Sequence, residues 1–267
     1  MFLVWLSIFG ERSTYEKNIA KIKKGYYNEN MTNIIDLGTS SFHQYLIPCG
    51  DGYCLMDTGY PWQKKAFLKK MEEKGITNEQ IKYIVITHMH ADHTGFLKEM
   101  LELTNAQLIY DVRDKQRLEA GKNNLNTYIS RFDYLVISKV SAAMVDLMQS
   151  FPAVFYDNYV DARTQPLEEY GIRFLALEGH TEHDLCVRFE DKIFCGDLCM
   201  RGFGSSKYAP MWIYNKYQLL ESWQTLLSCE EPYLYPVHGD PFPRTKLQKS
   251  IDFWRDRGVF KLYPKKQ

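Results

Sequence analysis

Cysteine is scarce in this chain and follows no pattern. Cys49, Cys54, Cys186, Cys195, Cys199 and Cys229 form no Cys-x-x-Cys pair and no zinc-finger spacing. A disulfide scaffold and a thiolate metal finger are therefore excluded, and a reducing, cytoplasmic setting is expected. An excess of charge of one sign is also missing: Lys+Arg and Asp+Glu number 33 each. Such a surface is not built to gather polyanions, so no nucleic-acid partner is expected. No apolar run approaches the ~20 residues that cross a bilayer, so no integral span is expected either. Repeats and low-complexity tracts are absent, and a 45% hydrophobic, 15% aromatic composition excludes a disordered chain.

The 267 residues are ample for one substantial core. Residues 1–9 (MFLVWLSIF) are strongly apolar, yet lack the positive flank and small-residue cleavage site of a signal peptide. They read as a segment that docks on the protein or a partner chain, with a membrane-surface contact as the alternative. Tyr15, Ile19, Ile22 and Tyr26 then recur at helical spacing, giving an N-terminal extension over residues 1–30 made of an apolar segment plus a short helix.

From residue 31 onward the texture is that of a mixed fold. Short β-type runs stand at 34–37, 44–47 and 53–56, the last two joined by Cys-Gly-Asp-Gly, a hairpin signal. A helix is expected over 61–74, a buried strand over 81–86, a strand at 107–110 and a helix over 111–120. Strands return at 172–177, 185–189, 192–195 and 233–237, with helices at 215–229 and 244–255. Residues 121–165 crowd aromatics and methionines into a stretch of helical character, read as an insertion: either a buried helical pair or a lid or dimer surface over a site.

The seven histidines are not scattered. Three lie in Thr87-His88-Met89-His90-Ala91-Asp92-His93-Thr94-Gly95, directly after an apolar strand. His88 and His90, two apart on extended chain, face the same side. Four ligand-type side chains within six residues exceed what one tetrahedral ion takes from one segment, and they suit two adjacent ions. The motif of a strand end followed by a ligand-type residue recurs at Gly179-His180, Gly196-Asp197 and His238-Gly239. Imidazoles and carboxylates without thiolate suit zinc, with iron or manganese feasible.

In Asp57-Thr58-Gly59, the His88–His93 run, His180, Asp197 and His238, the chain resembles the metallo-β-lactamase superfamily from about residue 34 to its end. The resemblance implies an α+β, four-layer αββα sandwich over residues 31–267 with two divalent metals at one edge of the sheets. It implies that His88, His90 and His180 hold one metal and that Asp92, His93 and His238 hold the other. Asp197 would bridge the two, and Asp57 would hold a ligand in place from behind. Two such ions about 3.5–4 Å apart share a hydroxide nucleophile at neutral pH. Asp92, close to it, is the candidate to handle a proton, with coordination alone as its other role, and Asp197 is expected to be the second catalytic carboxylate.

The departures from relatives narrow the activity. His90 stands where diiron oxygen reductases of the superfamily carry glutamate, and the β-lactamases lack a bridging carboxylate at the Asp197 position. Ala91 speaks against the transfer-RNA nucleases. The chain length speaks against the large nucleic-acid-cleaving branch, and the thirty or so residues after His238 against the glyoxalase II type. What remains is a lactonase-like hydrolase of an ester, lactone or related acyl bond in a small molecule. The alternatives are a phosphodiesterase or phosphotriesterase on the same metals, and an inactive binding or scaffold protein. Tyr208 and Tyr214, in the loop after Asp197, are candidate substrate contacts. His183 falls one residue short of the family's second histidine and is expected near the site or at the surface. The apolar start and aromatic insertion favour a homodimer.

Overall fold

The computed structural model describes residues 34–123, 128–129, 150–202, 205, 207–258 and 260–261, which belong, from residue 35 onward, to the compact unit Ile35–Gln267. The apolar start, the expected N-terminal helix and most of the 121–165 insertion lie outside the described residues.

Strands β1 (Ile35–Asp36), β2 (Tyr45–Cys49) and β3 (Gly52–Met56) form an antiparallel meander. Helix α1 (Lys64–Glu73) then carries the chain to β4 (Ile81–Val85), parallel to β3, because parallel neighbours need a crossover rather than a tight turn. Helices α2 (Ala91–Thr94) and α3 (Leu97–Thr104) return it to β5 (Gln107–Tyr110), parallel to β4. Helix α4 (Lys115–Ala120) follows, then β6 (Tyr128–Ile129) and β7 (Tyr159–Asp161), the latter parallel to β5. The first sheet thus has the order β1-β2-β3-β4-β5-β7. The described end of the insertion holds β7, which satisfies its backbone on the open edge of β5, and then a 3₁₀ turn at Ala162–Thr164; the spacing of the aromatics does not reveal the β7 pairing.

The second sheet is built from β8 (Arg173–Leu177), β9 (Asp184–Phe189) and β10 (Lys192–Gly196). After β11 (Trp212–Ile213) and helix α5 (Lys216–Ser228) come β12 (Tyr233–Pro236), parallel to β10, and β13 (Phe242–Pro243). Its order is β13-β12-β10-β9-β8. Helix α6 (Lys246–Arg255) and β14 (Phe260–Lys261) close the described chain. In a small third sheet β6 of the insertion pairs with both β11 and β14.

Alternation along the strands sorts the core into three apolar layers. Leu46, Leu55, Ile84 and Leu108 pack outward against Phe67 and Met71 of α1 and Leu97, Met100 and Leu101 of α3. Ile193, Cys195 and Leu234 pack outward against Leu219, Trp223 and Leu226 of α5 and Leu247, Ile251 and Trp254 of α6. Their strand neighbours point inward and join the sheets: the Tyr45 ring lies 4.9 Å from that of Phe194, which lies 5.3 Å from that of Tyr235. The result is the expected αββα sandwich. Helix α5 starts where Asn215 Oδ1 accepts from Tyr217 N and Gln218 N, a side-chain N-cap.

Candidate metal centre

Strands β3 and β4 run parallel in one sheet, and β8, β10 and β12 share one direction in the other, so their C-terminal ends bring Asp57, His88, His180, Asp197 and His238 to one edge. Local backbone bonds hold these ends together. Leu185 N donates to Thr87 O (2.9 Å), Val237 N to Gly196 O (3.2 Å) and Thr58 N to His93 O (2.8 Å). Gly179 precedes His180 at φ +136, where a Cβ would stand 2.4 Å from Leu219 N; the loop lies against α5 at a distance only glycine permits.

All seven expected ligands converge in two adjoining groups, His88/His90/His180 and Asp92/His93/Asp197/His238. In the first, His88 Nε2 and His90 Nδ1 are 2.9 Å apart, and His180 Nε2 lies 3.2 and 3.0 Å from them. In the second, His238 Nε2 is 3.2 Å from Asp92 Oδ2 and 3.4 Å from Asp197 Oδ2, while His93 Nε2 is 3.5 Å from the same Asp197 oxygen. Asp197 Oδ2 also lies 3.8 Å from His180 Nε2, so one carboxylate oxygen touches both groups.

The donor set fits metal ions. Thr87 Oγ1 donates to Asp57 Oδ2 (2.8 Å), which leaves its lone pairs to accept from His88 Nδ1 (3.1 Å). His180 Nδ1 donates to Trp212 O (2.8 Å). Both rings therefore present an unprotonated Nε2 to the same point as His90 Nδ1, and at most one of the three nitrogens carries a hydrogen. Lone pairs so close repel unless a cation lies among them. Tetrahedral zinc at its usual bond length sets its nitrogens about 3.3–3.4 Å apart, close to this spacing. His93 Nε2 and Asp197 Oδ1 are buried with no hydrogen-bond partner among the described residues. Buried polar atoms seldom stay unpaired without a ligand to explain them.

Electrostatics divide the groups in the same way. Burial and the neighbouring imidazoles hold His88 well below its ordinary pKa and bring His90 down to about 3, so both are neutral donors. Burial alone would push Asp197 up, but His238 and His93 bring it down to about 2. Asp92 is lowered as well, burial being outweighed by His93 and His238. Both carboxylates are anionic at neutral pH.

Asp57, fully buried at φ +54, lies behind the ligands. It accepts from Thr87 N (2.9 Å), Thr87 Oγ1 and His93 Nδ1 (2.9 Å), which turns His93 Nε2 toward the centre. Of the two tyrosines, neither lines the cavity at the centre. The Tyr208 ring stacks on Phe242 at 4.1 Å, and Tyr214 acts through its backbone, its N–H donating to His180 O (3.1 Å). His183 Nδ1 lies 2.8 Å from Asp114 Oδ1, away from both ligand groups. Cys195 and Cys199 are packed in the core under α5.

Several contributors escaped the sequence reading. Asp184 is buried and accepts from His180 N (3.0 Å), Thr181 N and Thr181 Oγ1 (2.6 Å), shaping the loop that presents His180. Its signal was Thr181-Glu182-His183-Asp184, a hydroxyl and a carboxylate three residues apart. Beside the ligands opens a cavity of about 400 Å³ whose wall includes Tyr60, Met200, Arg201, Met211 and Trp212. Nothing in the spacing marked Tyr60 or Arg201.

Fold and site together define a two-sheet protein whose common edge carries two His/Asp groups that could hold metal ions. The family model for the metallo-beta-lactamase superfamily matches residues 43–238, and the chain belongs to that superfamily. It is 25% identical over 226 residues to the beta-lactamase-like protein 2 homolog of Caenorhabditis elegans, covering 82% of this chain and 64% of that protein. It is 24% identical over 201 residues to the lactamase-like protein aptB of Emericella nidulans, covering 73% of this chain and 50% of that one. The chain thus spans between half and two thirds of these relatives. The solved structure of BJP-1, a subclass B3 metallo-beta-lactamase of Bradyrhizobium japonicum, superposes with a TM-score of 0.53 at 21% identity, over 87% of this chain and 83% of that one. That likeness is one of fold. Members of the superfamily are mostly metal-dependent hydrolases. Among the described residues no helix is long and apolar enough to cross a membrane.

Proposed function

We propose that the protein is a two-metal hydrolase of a carboxylic ester, lactone or related acyl bond in a small molecule, with zinc as the resident ion. The observation that carries this reading is Asp197 Oδ2, which stands within 3.8 Å of nitrogens from both ligand groups beside a cavity walled in part by Met200, Met211 and Trp212. The two groups would hold divalent cations, which when bound would lower the pKa of water enough to supply a nucleophile at neutral pH and would polarise a carbonyl oxygen.

The remaining work falls to the chain's own residues. Asp57, Thr87 and the Trp212 carbonyl fix ring orientation, so the ligands meet the ions without reorganising. Asp92, a half-buried carboxylate in the cavity wall, is the group assigned to take up a proton and return it to the leaving alkoxide. Met200, Met211 and Trp212 exclude water from one side of the cavity and suit an apolar acyl portion. Six unpaired thiols, five of them buried, support a reducing, cytoplasmic setting.

The test is a substrate panel on zinc-replete protein whose metal content has been measured. About two equivalents of zinc with turnover of aryl esters or lactones is the expected result. Turnover of phosphodiesters instead would move the reaction to phosphorus, and a metal-loaded protein that turns over nothing would be a binding protein.

A further inference from the structure

We propose that Arg201 is an anion anchor, so that the substrate carries an acidic group, a carboxylate or phosphate, on the side away from the cleaved bond. The proposal rests on the hydrolytic reading above and deepens it.

Arg201 lines the same cavity as His90, Asp92, Asp197 and His238, and it is the one lysine or arginine in that wall among the described residues. Its place is set by the turn that supplies His238. Arg201 N donates to His238 O (2.9 Å). Gly239, at φ +85, lies so close that a Cβ there would stand 2.5 Å from Arg201 O. The side chain is tied to the same turn: Nη1 donates to Asp240 O (3.1 Å) and Pro241 O (3.3 Å).

These bonds use one nitrogen. Guanidinium is planar with five N–H donors, and Nε and Nη2 bond to none of the described residues. The Asp240 carboxylate is 3.9 Å from Nη1, and both side chains are about a third exposed, so the pair is loose and leaves the charge available. A guanidinium pre-oriented by backbone bonds, with a fork of donors left over, is the arrangement that takes an oxyanion bidentately. The opposite chemistry supports the assignment: the apolar residues of the wall can orient a substrate only weakly, so a fixed charge supplies the register.

The test compares two matched substrates, the mono-4-nitrophenyl ester of glutaric acid and the 4-nitrophenyl ester of pentanoic acid, which differ in the terminal carboxylate. Wild-type zinc enzyme should have a lower KM for the glutaric ester. Arg201→Ala should raise that KM about ten- to hundredfold more than it raises the pentanoic KM, and Arg201→Lys should recover part of the loss. Zinc content and Tm should match wild type. Inhibition of pentanoate hydrolysis by glutarate and by inorganic phosphate separates the two sources: the anion whose inhibition constant rises in Arg201→Ala is the one anchored there. Equal losses on both esters, or loss of zinc, would make Arg201 a strut of the His238 turn and overturn the proposal, as would a wild type that does not distinguish the esters. If wild type turns over neither ester, it is the hydrolytic reading that fails. Calorimetric binding of glutarate to zinc-loaded wild type and Arg201→Ala then decides the anchor: weaker binding in the variant supports it and equal binding sinks it.

Discussion

Asp57 Oδ2 lies 2.9 Å from His93 Nδ1, with both side chains fully buried, and the same oxygen accepts from Thr87 Oγ1. One carboxylate thereby sets the tautomer of a ligand ring and, through Thr87, steadies His88 in the other group. Partners of this kind are worth about 10–100-fold in metal affinity. Asp57→Asn should therefore weaken zinc binding by that factor in a chelator-competition titration. Asparagine tolerates the φ of +54 at this position, so the variant should keep its circular dichroism. Unchanged affinity would reduce Asp57 to a structural turn residue.

The shared oxygen of Asp197 makes a different prediction. Because Oδ2 faces nitrogens of both groups, Asp197→Ala should lower zinc stoichiometry below two and abolish most turnover together. His90→Ala touches one group and should leave the second group's ion in place. Element analysis of the two purified variants separates them; two full equivalents retained in Asp197→Ala would remove the bridging role.

The convergence of the candidate ligands was legible because each stands at a strand end beside a special residue: the His88–His93 run after a nearly continuous apolar strand, His180 after Gly179, Asp197 after Gly196, His238 before Gly239. Strand limits followed from the same periodicity, so that 107–110 reappears as β5 and 192–195 as β10 with one residue added. What failed to show depends on contacts across the sheets. Asp114 meets His183 from α4's entry turn, 69 residues earlier, and no local pattern announces such a pair. Tyr208 was singled out by its nearness in sequence to Asp197, but stacking on Phe242 takes its ring into the wall under α6. Strand β7 pairs across a distance that aromatic spacing does not encode.

That Asp114 pair bears on metal binding. Buried Asp114 accepts from His183 Nδ1 and pairs with Arg117, which also meets Glu182, so two residues of the loop following His180 are tied to the first sheet's helices. Asp114→Ala frees that loop without touching a ligand. Zinc affinity at the His88/His90/His180 group should fall severalfold to about tenfold, with the other group affected less. Stepwise titration with a chromophoric chelator reads both constants, and equal loss at the two would point to general destabilisation instead.

Trp223 tests the link between core and site. Its ring is fully buried under the second sheet, and Nε1 donates to Leu198 O at 2.7 Å, one residue after Asp197. Trp223→Ala should cost about 3–5 kcal/mol in denaturant unfolding. Trp223→Phe keeps most of the volume but leaves the Leu198 carbonyl without its donor, for about 1–3 kcal/mol. If the loop carrying Asp197 relies on this bond, the phenylalanine variant also binds zinc more weakly; full stability in Trp223→Phe would show that the carbonyl finds another partner.

Acid stability follows from Asp111, buried at the end of β5. Burial alone would raise its pKa, but Arg113 reverses this with a backbone N–H (3.1 Å), Nε (2.9 Å) and Nη2 (2.6 Å), aided by Arg163, and the net pKa is lowered. A carboxyl depressed in the folded state binds its proton more readily when unfolded. Its stabilisation is complete above the unfolded value of about 4 and is lost as pH falls through the folded value. Arg113 also reaches Glu178, two residues before His180, so protonation of Asp111 loosens a tie between the sheets. Wild type should lose stability below pH ~4, and Asp111→Asn should be less stable at pH 7 with a flatter acid limb. Urea unfolding at intervals between pH 7 and pH 3 measures both, and parallel curves for the two proteins would show that Asp111 contributes no acid dependence.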